Sequence, residues 1–414
     1  MESMRRILIV GSGQSGLQLA LSLQEQDYEV TVISARTPEE IRNARVTSTQ
    51  VMFDTALQHE RDHGLNLWEP ETPQIKRKHL SATAPDGTRF VNWHGDFSAY
   101  AQSVDQRVKM ATWLEMFQDR GGNVIIHPAS VSDLDGLARL YDLTIVAAGR
   151  GELVDMFDRD PTRSRFTGPQ RSVAIVYTHG LAPEDPDITI IGINLIGGHG
   201  ELYIMPGLTH TGPCDILYVS AIPGGPLDRF GDSPGPREQL DRTVALFEEY
   251  APWERDRFAG VRITDERSNL TGRVNPMVRK PVGRLPSGGA VLGMADVVVV
   301  NDPIAGQGAN NASKCAASYL TSIVEHGDRP FDEEFMTATF ERYWEYAQFS
   351  TRWSNTLLAP PEPHVLEVLA AGNTNPAVGD RITNGFNNPE DYTNFLFEED
   401  KARAYLASLG QPAA

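Results

Sequence analysis

The stretch RRILIVGSGQSGLQLALSLQEQDYEVTVIS, residues 5–34, narrows the fold more than any other part of the chain. ILIV is a continuous apolar run, the mark of a parallel strand covered on both faces. Gly11, Gly13 and Gly16 follow it in the spacing G-x-G-x-x-G. Gly11 permits a tight turn, Gly13 lets a pyrophosphate approach the backbone, and Gly16 lets the next helix pack close to the strand. That helix carries Leu17, Leu21 and Leu23, and its free N–H groups face the phosphates. EVTVIS supplies a second strand. A glycine triplet alone is weak evidence; flanked by strand and helix it predicts a dinucleotide site. The end of the second strand usually offers an acid to the ribose. Here Ser34 takes that place, and Arg36 reaches for the adenine or a phosphate, a solvated loop arginine being the alternative.

Composition then excludes several classes. The 414 residues suggest two packed domains plus an extension. A net charge of −18 argues against nucleic acid and anionic membranes as partners. Cys214 and Cys315 are the only cysteines, so there is neither a disulfide framework nor a zinc spacing, and no metal is expected. A reducing cytoplasm fits. AVLGMADVVVV, the greasiest run, is too short to span a bilayer.

Further along, KRKHL and GTRFVNWHGDF read as strands of a second domain. SVDQRVKMATWLEMFQDRGG reads as an amphipathic helix, with Ser103 and Gln106 as a capping box and Gly121 as its stop. NVIIHPASV and YDLTIVAAGR resume buried strands, and Gly149 offers another backbone approach to the cofactor. From Ser172 to about Thr264, SVAIVYTHG, ITIIGINLI, GELYIMPG and DILYVSAIPG read as antiparallel strands of an inserted sheet. The expected division is 1–45, 103–171 and 265–330 for a nucleotide domain, 46–102 and 172–264 for a substrate sheet, and 331–414 for a helical region.

A second glycine turn lies in NDPIAGQGANNAS, residues 301–313. Asp296 follows a buried strand, where an acid needs a partner such as a cofactor hydroxyl. Asp302-Pro303, then Gly306-Gln307-Gly308, lead into a helix whose N-terminus suits a ring edge that gains negative charge on reduction. A merely capped helix is the plain alternative.

Together, GSGQSG and GMADVVVVNDPIAGQGANNAS resemble flavoprotein aromatic monooxygenases of the hydroxybenzoate-hydroxylase fold. More closely, the chain is similar to the styrene and indole monooxygenases, through RTPEEIRNAR, WHGDF, VDQR, GHGEL, DPIAGQGAN and TRWSN. The resemblance implies an α/β Rossmann-like FAD domain with an inserted antiparallel sheet. It implies FAD held by Gly11, Gly13, Gln14, Ser15, Gly16, Ser34 and Arg36, with Arg45 by the ribityl or phosphate chain and Arg107 of VDQR also on the cofactor. Asp296 would meet the ribitol. Pro303, Gly306, Gln307, Gly308, Ala309 and Asn310 would surround the isoalloxazine. It also implies a two-component system in which a separate NADH:FAD reductase supplies reduced FAD. The Asp-Gly pattern tied to NAD(P)H use in single-component relatives is missing from YDLTIVAAGRGELVD, and no second G-x-G-x-x-G occurs.

In that family the segment after Arg45 lines the substrate pocket. Ser48, Gln50 and Met52 in VTSTQVM match the indole-type pattern, as does Ala101. These three and Pro303 are the candidate catalytic residues. Residues two apart share a strand face, so the three are expected to share a pocket. Met205, Phe97, Trp93 and Leu202 are candidates for an apolar lining, and His94 and His199 read as structural donors. The expected reaction is epoxidation of the 2,3-double bond of indole, with styrene as a further substrate. A styrene monooxygenase proper and a single-component NAD(P)H hydroxylase are the alternatives; a halogenase and a non-catalytic binding module are more remote.

Overall fold

The structure is a computed structural model describing residues 4–149 and 151–410. Among these residues two sheets dominate. In the six-stranded sheet, β1 (Arg6–Val10) is central and pairs in parallel with β2 (Glu29–Ser34). Ile7, Leu8 and Ile9 are fully buried, as a strand covered on both faces requires. Between β1 and β2 runs α1 (Gln14–Gln24).

The larger, nine-stranded sheet begins with the two-residue β3 (Val51–Met52), followed by α2 (Asp54–Asp62), β4 (Ile75–Thr83) and β5 (Arg89–Ser103). The chain then returns to the smaller sheet through α3 (Gln106–Asp119), β6 (Asn123–Ile126) and β7 (Leu143–Val146). Two local expectations change here. The cap of α3 is Asp105, which accepts from Arg107 N at 2.9 Å, whereas Ser103 ends β5 and donates to Thr49 O at 3.0 Å. And β6 is not buried: it is a sheet edge, with Ile125 and Ile126 exposed.

β8 (Ser172–His179), β9 (Ile190–Ile196), β10 (Gly200–Thr209) and β11 (Gly212–Ala221) form the body of the larger sheet. They are antiparallel to one another, but β9 meets β4 in parallel. Helix α4 (Pro236–Tyr250) covers one face, where Leu202, Ile204, Leu246 and Phe247 pack. On the other face Tyr203, Met205, Ile216 and Tyr218 pack with Leu80, Trp93 and the second glycine turn at Ile304 and Ala305. Leu202 therefore lies across the sheet from Met205, because successive strand residues alternate faces. β12 (Arg262–Ile263) and β13 (Asn269–Arg273) both pair with β8, so strands of this sheet extend past residue 265.

β14 (Val282–Arg284) and β15 (Ala290–Gly293) complete the smaller sheet. The run after β15 is mostly not strand. Ala295–Val297 make a single 3₁₀ turn, entered at Ala295 with φ +50°. Helix α5 (Gly308–His326) packs on α1. Of the remaining helices, α6 (Glu333–Leu358) packs its first half on α5 and the core of the smaller sheet and its second half, through Trp353 and Leu358, on the apolar face of the larger sheet, which α7 (Pro363–Ala371), α8 (Pro376–Asn384) and shorter helices also cover. Trp93 Nε1 donates to Leu369 O at 2.8 Å, and a Cβ on Gly95 would lie 2.3 Å from Gly379 O. No helix among the described residues is long and apolar enough to cross a membrane.

Candidate functional site

Both glycine turns open onto one cleft of about 790 Å³. Its wall includes Gly11 to Ser15 from the first turn, Gly308, Ala309 and Ala312 from the second, and also Gly149, Asp296 and Ser48. The three glycines of the first turn do different jobs. Gly11 has φ +122°, and a Cβ there would lie 2.8 Å from Ala147 C. A Cβ on Gly16 would lie 2.1 Å from Gly11 O, so it is fixed by strand–helix packing. At Gly13 a Cβ meets nothing within 4 Å. The space beside it is open to a ligand's approach, and the glycine is also the N-cap of α1.

The cleft is built for an anionic, hydroxylated ligand. α1 and α5 both start on its wall, with no acidic side chain in the first turn and no side-chain cap, so their N–H groups and dipoles are unspent. Gln14 Nε2 donates to Glu60 Oε1 at 2.8 Å, and Lys109 Nζ holds that same oxygen at 2.6 Å. The three side chains are buried, and Gln14 Oε1 has no hydrogen-bond partner among the described residues. Asp296 is exposed and lines the cleft rather than being buried in the strand region. Gln14, Ser15, Gly308 and Ala309 thus stand together with Gly11, Gly13 and Asp296 in the wall of one cleft.

Other expected cofactor residues stand elsewhere. Ser34 is fully buried; its hydroxyl pairs with Ser12 Oγ at 2.7 Å and donates to Arg36 O at 2.6 Å. It shapes the turn and does not line the cleft. Arg36 is exposed and does not line the cleft, and Arg45 donates to Asn269 Oδ1 at 2.8 Å. Arg107 is buried between Asp105 and Asp265, with Nη2 at 2.7 and 3.0 Å from their carboxylates and 3.2 Å from Thr209 Oγ1. Its donors are consumed by protein, which makes it a staple and not a cofactor ligand. Gln307 donates to Ala305 O and Phe386 O, and Asn310 to Val51 O and Gly306 O. Those two amides hold the second turn in shape. Gly306 allows that turn with φ +61°, and Pro303 opens its 3₁₀ segment.

Ser48, Gln50 and Met52 do not share a face. Regular strand is confined to Val51–Met52, and Gln50 has φ +36°, which breaks the alternation. Ser48 lines the cleft. Gln50 points into the larger sheet, its amide 2.6 Å from Tyr177 Oη. Met52 packs with Ala56, Leu57 and Ala309, its sulfur 3.3 Å from Lys109 Nζ. Ala101 is buried opposite Ile75, in the same apolar cluster as Trp93 and Met205, with Phe97 packed against it. His199 sits edge-on to Tyr250, and His94 pairs with Glu184.

Four buried polar residues were not singled out as site candidates by the sequence. Glu60 and Lys109 sit beneath Gln14, and nothing in their helices' patterns marks them as partners. Lys78 is buried among rings, Nζ 4.5 Å from the Phe386 centroid and 5.1 Å from that of Trp93, and burial lowers its pKa to about 7. Asp302, noticed only as the residue before Pro303, accepts from Ile304 N through Oδ1 while Oδ2 is buried without a partner among the described residues. Burial pushes its carboxyl up to about 7, against the pull of Arg171.

Residues 149–257 match the family model described as "Styrene monooxygenase A putative substrate binding domain". Across 93% of its length the chain is 29% identical to the styrene monooxygenase StyA of Pseudomonas fluorescens, covering 94% of that protein. It is 28% identical to StyA of a Pseudomonas species over the same shares. Among solved structures, the flavin-dependent brominase Bmp2 superposes with a TM-score of 0.67 at 14% identity, covering 93% of both chains. The p-nitrophenol 4-monooxygenase PnpA of Pseudomonas putida DLL-E4 does so with 0.62 at 12% identity, covering 94% of this chain and 99% of that one. These structural likenesses carry the fold: an α/β flavoprotein fold of the hydroxybenzoate-hydroxylase kind.

Proposed function

The chain is a flavin-dependent monooxygenase similar to styrene monooxygenases, and we propose that it is the epoxidising half of a two-component pair, taking reduced FAD from a separate NADH:FAD reductase. The substrate is a carbon–carbon double bond conjugated to an aromatic ring, that of indole ahead of styrene. One observation carries the reading: both glycine turns and Asp296 line a single cleft that also reaches Ser48.

Bound there, reduced FAD with dioxygen supplies the transferable oxygen atom. The chain's own residues do the rest. The Gly13 backbone and the α1 N-terminus would hold the pyrophosphate, Asp296 would meet hydroxyls of the ribityl chain, and the α5 N-terminus would favour the negative charge the ring gains on reduction. Ile304 and Ala305 continue from that turn into the apolar face of Tyr203, Met205 and Phe53, which keeps water out. No general base is needed for oxygen transfer to an alkene. The two cysteines are buried free thiols, in keeping with a reducing cytoplasm.

Indole preference rests on the likeness of Ser48, Gln50, Met52 and Ala101 to the indole-type pattern. Gln50 Nε2 donates to Tyr177 Oη at 2.6 Å and the tyrosine hydroxyl donates to Ser48 O at 2.6 Å, which leaves Gln50 Oε1 as the acceptor for an indole N–H. One such bond is worth roughly 0.5–1.5 kcal/mol net, so the preference over styrene is about tenfold. Turnover of both substrates with an unrelated reductase, in the native chain and in Gln50→Val, tests it. Indole favoured in the native chain and not in the variant is the expected outcome. Equal or better use of styrene by the native chain rejects the indole assignment and leaves a styrene-type epoxidase.

A further inference from the structure

Away from the cleft, two histidines face each other across the β4–β5 ladder. His79 and His94 are directly opposed in register, with rings stacked at 4.3 Å between centroids. Glu184, from the segment between β8 and β9, reaches both: its Oε1 lies 2.8 Å from His79 Nδ1 and 2.7 Å from His94 Nε2. We propose that His79 Nδ1, His94 Nε2 and a Glu184 carboxylate oxygen form a binding site for a divalent transition ion of the zinc class. It is a different site from the flavin cleft and does not depend on the epoxidase reading.

The three ligand atoms lie within 4.8 Å of one another. A tetrahedral ion with bonds of about 2.0–2.1 Å wants its ligands roughly 3.3 Å apart, so the nitrogens must part from the oxygen by about half an ångström. His94, with 41% of its side chain exposed, has the freedom to do that. It also leaves a fourth position open to water.

The surroundings of His79 are those of a metal-bound imidazole. Its second nitrogen, Nε2, stands 2.8 Å from Asn92 Oδ1. Arg89 Nη2 donates to that oxygen at 2.6 Å, which sets the amide's orientation. Asn92 is therefore an acceptor toward Nε2, so Nε2 carries a hydrogen; Nδ1, 2.8 Å from Glu184 Oε1, donates to that carboxylate, and its hydrogen is the one an ion would displace. Arg89 Nη2 also lies 3.2 Å from Nε2, and Arg257 Nη1 lies 3.9 Å from Glu184 Oε2 while pairing with Glu254 at 2.7 Å. These cations hold the affinity below that of a buried structural zinc site. Two imidazoles and one carboxylate suit zinc, nickel or copper over magnesium or calcium.

β4 alternates, and its Leu80 and Ala82 belong to the apolar cluster that includes Ile304 and Ala305. His79 points to the opposite face. An ion there joins β4, β5 and the 180–189 segment, so its effect is on stability and not on oxygen transfer.

Titration calorimetry of the full chain with zinc chloride at neutral pH, with magnesium chloride as the control, tests the proposal. One saturable zinc site is expected, with a higher melting temperature in zinc. Both are lost in His94→Ala and in Glu184→Gln, and Asn92→Ala weakens binding about tenfold or more. His94 is exposed, so its variant retains the fold. No saturable zinc uptake, or uptake that survives in both His94→Ala and Glu184→Gln, overturns the assignment.

Discussion

At Gly13 and Gly16, two glycines of one motif separate binding from folding. A side chain at Gly13 enters open cleft, so Gly13→Val is expected to keep the native melting temperature and weaken FAD binding at least tenfold. At Gly16 the added Cβ meets the Gly11 carbonyl, so Gly16→Val loses the fold itself. Asp296→Ala weakens FAD binding by the loss of a hydroxyl acceptor, about 0.5–1.5 kcal/mol if one hydrogen bond is removed. Flavin fluorescence titration and thermal melts read both quantities; unchanged FAD affinity in Gly13→Val and Asp296→Ala together rejects the two-turn site. Lys78 offers a different test. Its charged form is penalised by burial, so its folded pKa of about 7 lies below the 10.5 of a free lysine. Below about pH 7 the penalty acts in full. Between 7 and 10.5 the unfolded chain binds the proton that the folded chain has released, so this group's contribution rises with pH. Lys78→Met is therefore expected to raise the melting temperature by a few degrees below neutrality, with the gain gone above 10.5. A gain independent of pH would show that packing, not charge burial, is responsible.

Among the elements, legibility followed how local the cause is. The strand–turn–helix at residues 6–24 was readable because apolar runs and glycine spacing act within a few residues. So were β8 to β11, from their apolar runs and turn residues. The segment 46–52 was not: period-two reasoning presumes a strand, and Gln50's positive φ redirects three side chains into three environments. ADVVVV shows the same limit, since a valine run reads as strand while Ala295–Val297 make a 3₁₀ turn that carries Asp296 to the cleft. Arg107 was misjudged because, beside the neighbouring Asp105, its other partners are distant in sequence; Asp265 is 158 residues away. It ties the start of α3 to β10 and the 265 loop, leaving Asp105 fully buried against it. Arg107→Leu leaves that carboxylate uncompensated, so a loss of about 3–5 kcal/mol is expected in denaturant unfolding. FAD affinity of the chain that remains folded stays within about twofold of native, because the guanidinium does not line the cleft. A tenfold loss of FAD affinity without loss of stability would return Arg107 to the cofactor site.

At the scale of the whole molecule, two sheets pack around one cleft. The second glycine turn joins them: Ile304 O accepts from Tyr203 Oη at 2.9 Å, and Asn310 bonds to Val51 and Phe53. The C-terminal helices close over the same apolar face through Trp353 and Phe386. A flavin ring beside that turn would face an interior built for a small apolar molecule, whereas a nicotinamide dinucleotide needs a second phosphate-binding surface. The sequence has one G-x-G-x-x-G, and its triplet is committed to the cleft. Reduction is therefore expected to happen on another protein, with reduced FAD passing through solution to this chain. Anaerobic stopped-flow mixing of the chain, FAD and NADH should show flavin reduction at least a hundredfold slower than turnover, and a catalytic amount of an unrelated NADH:FAD reductase should restore full epoxidation. Direct reduction by NADH at the turnover rate would instead make this a single-component hydroxylase with an undetected nicotinamide site. If reductase-supplied FAD were consumed without any oxidation of indole or styrene, the cofactor assignment would stand and the substrate would have to be sought elsewhere.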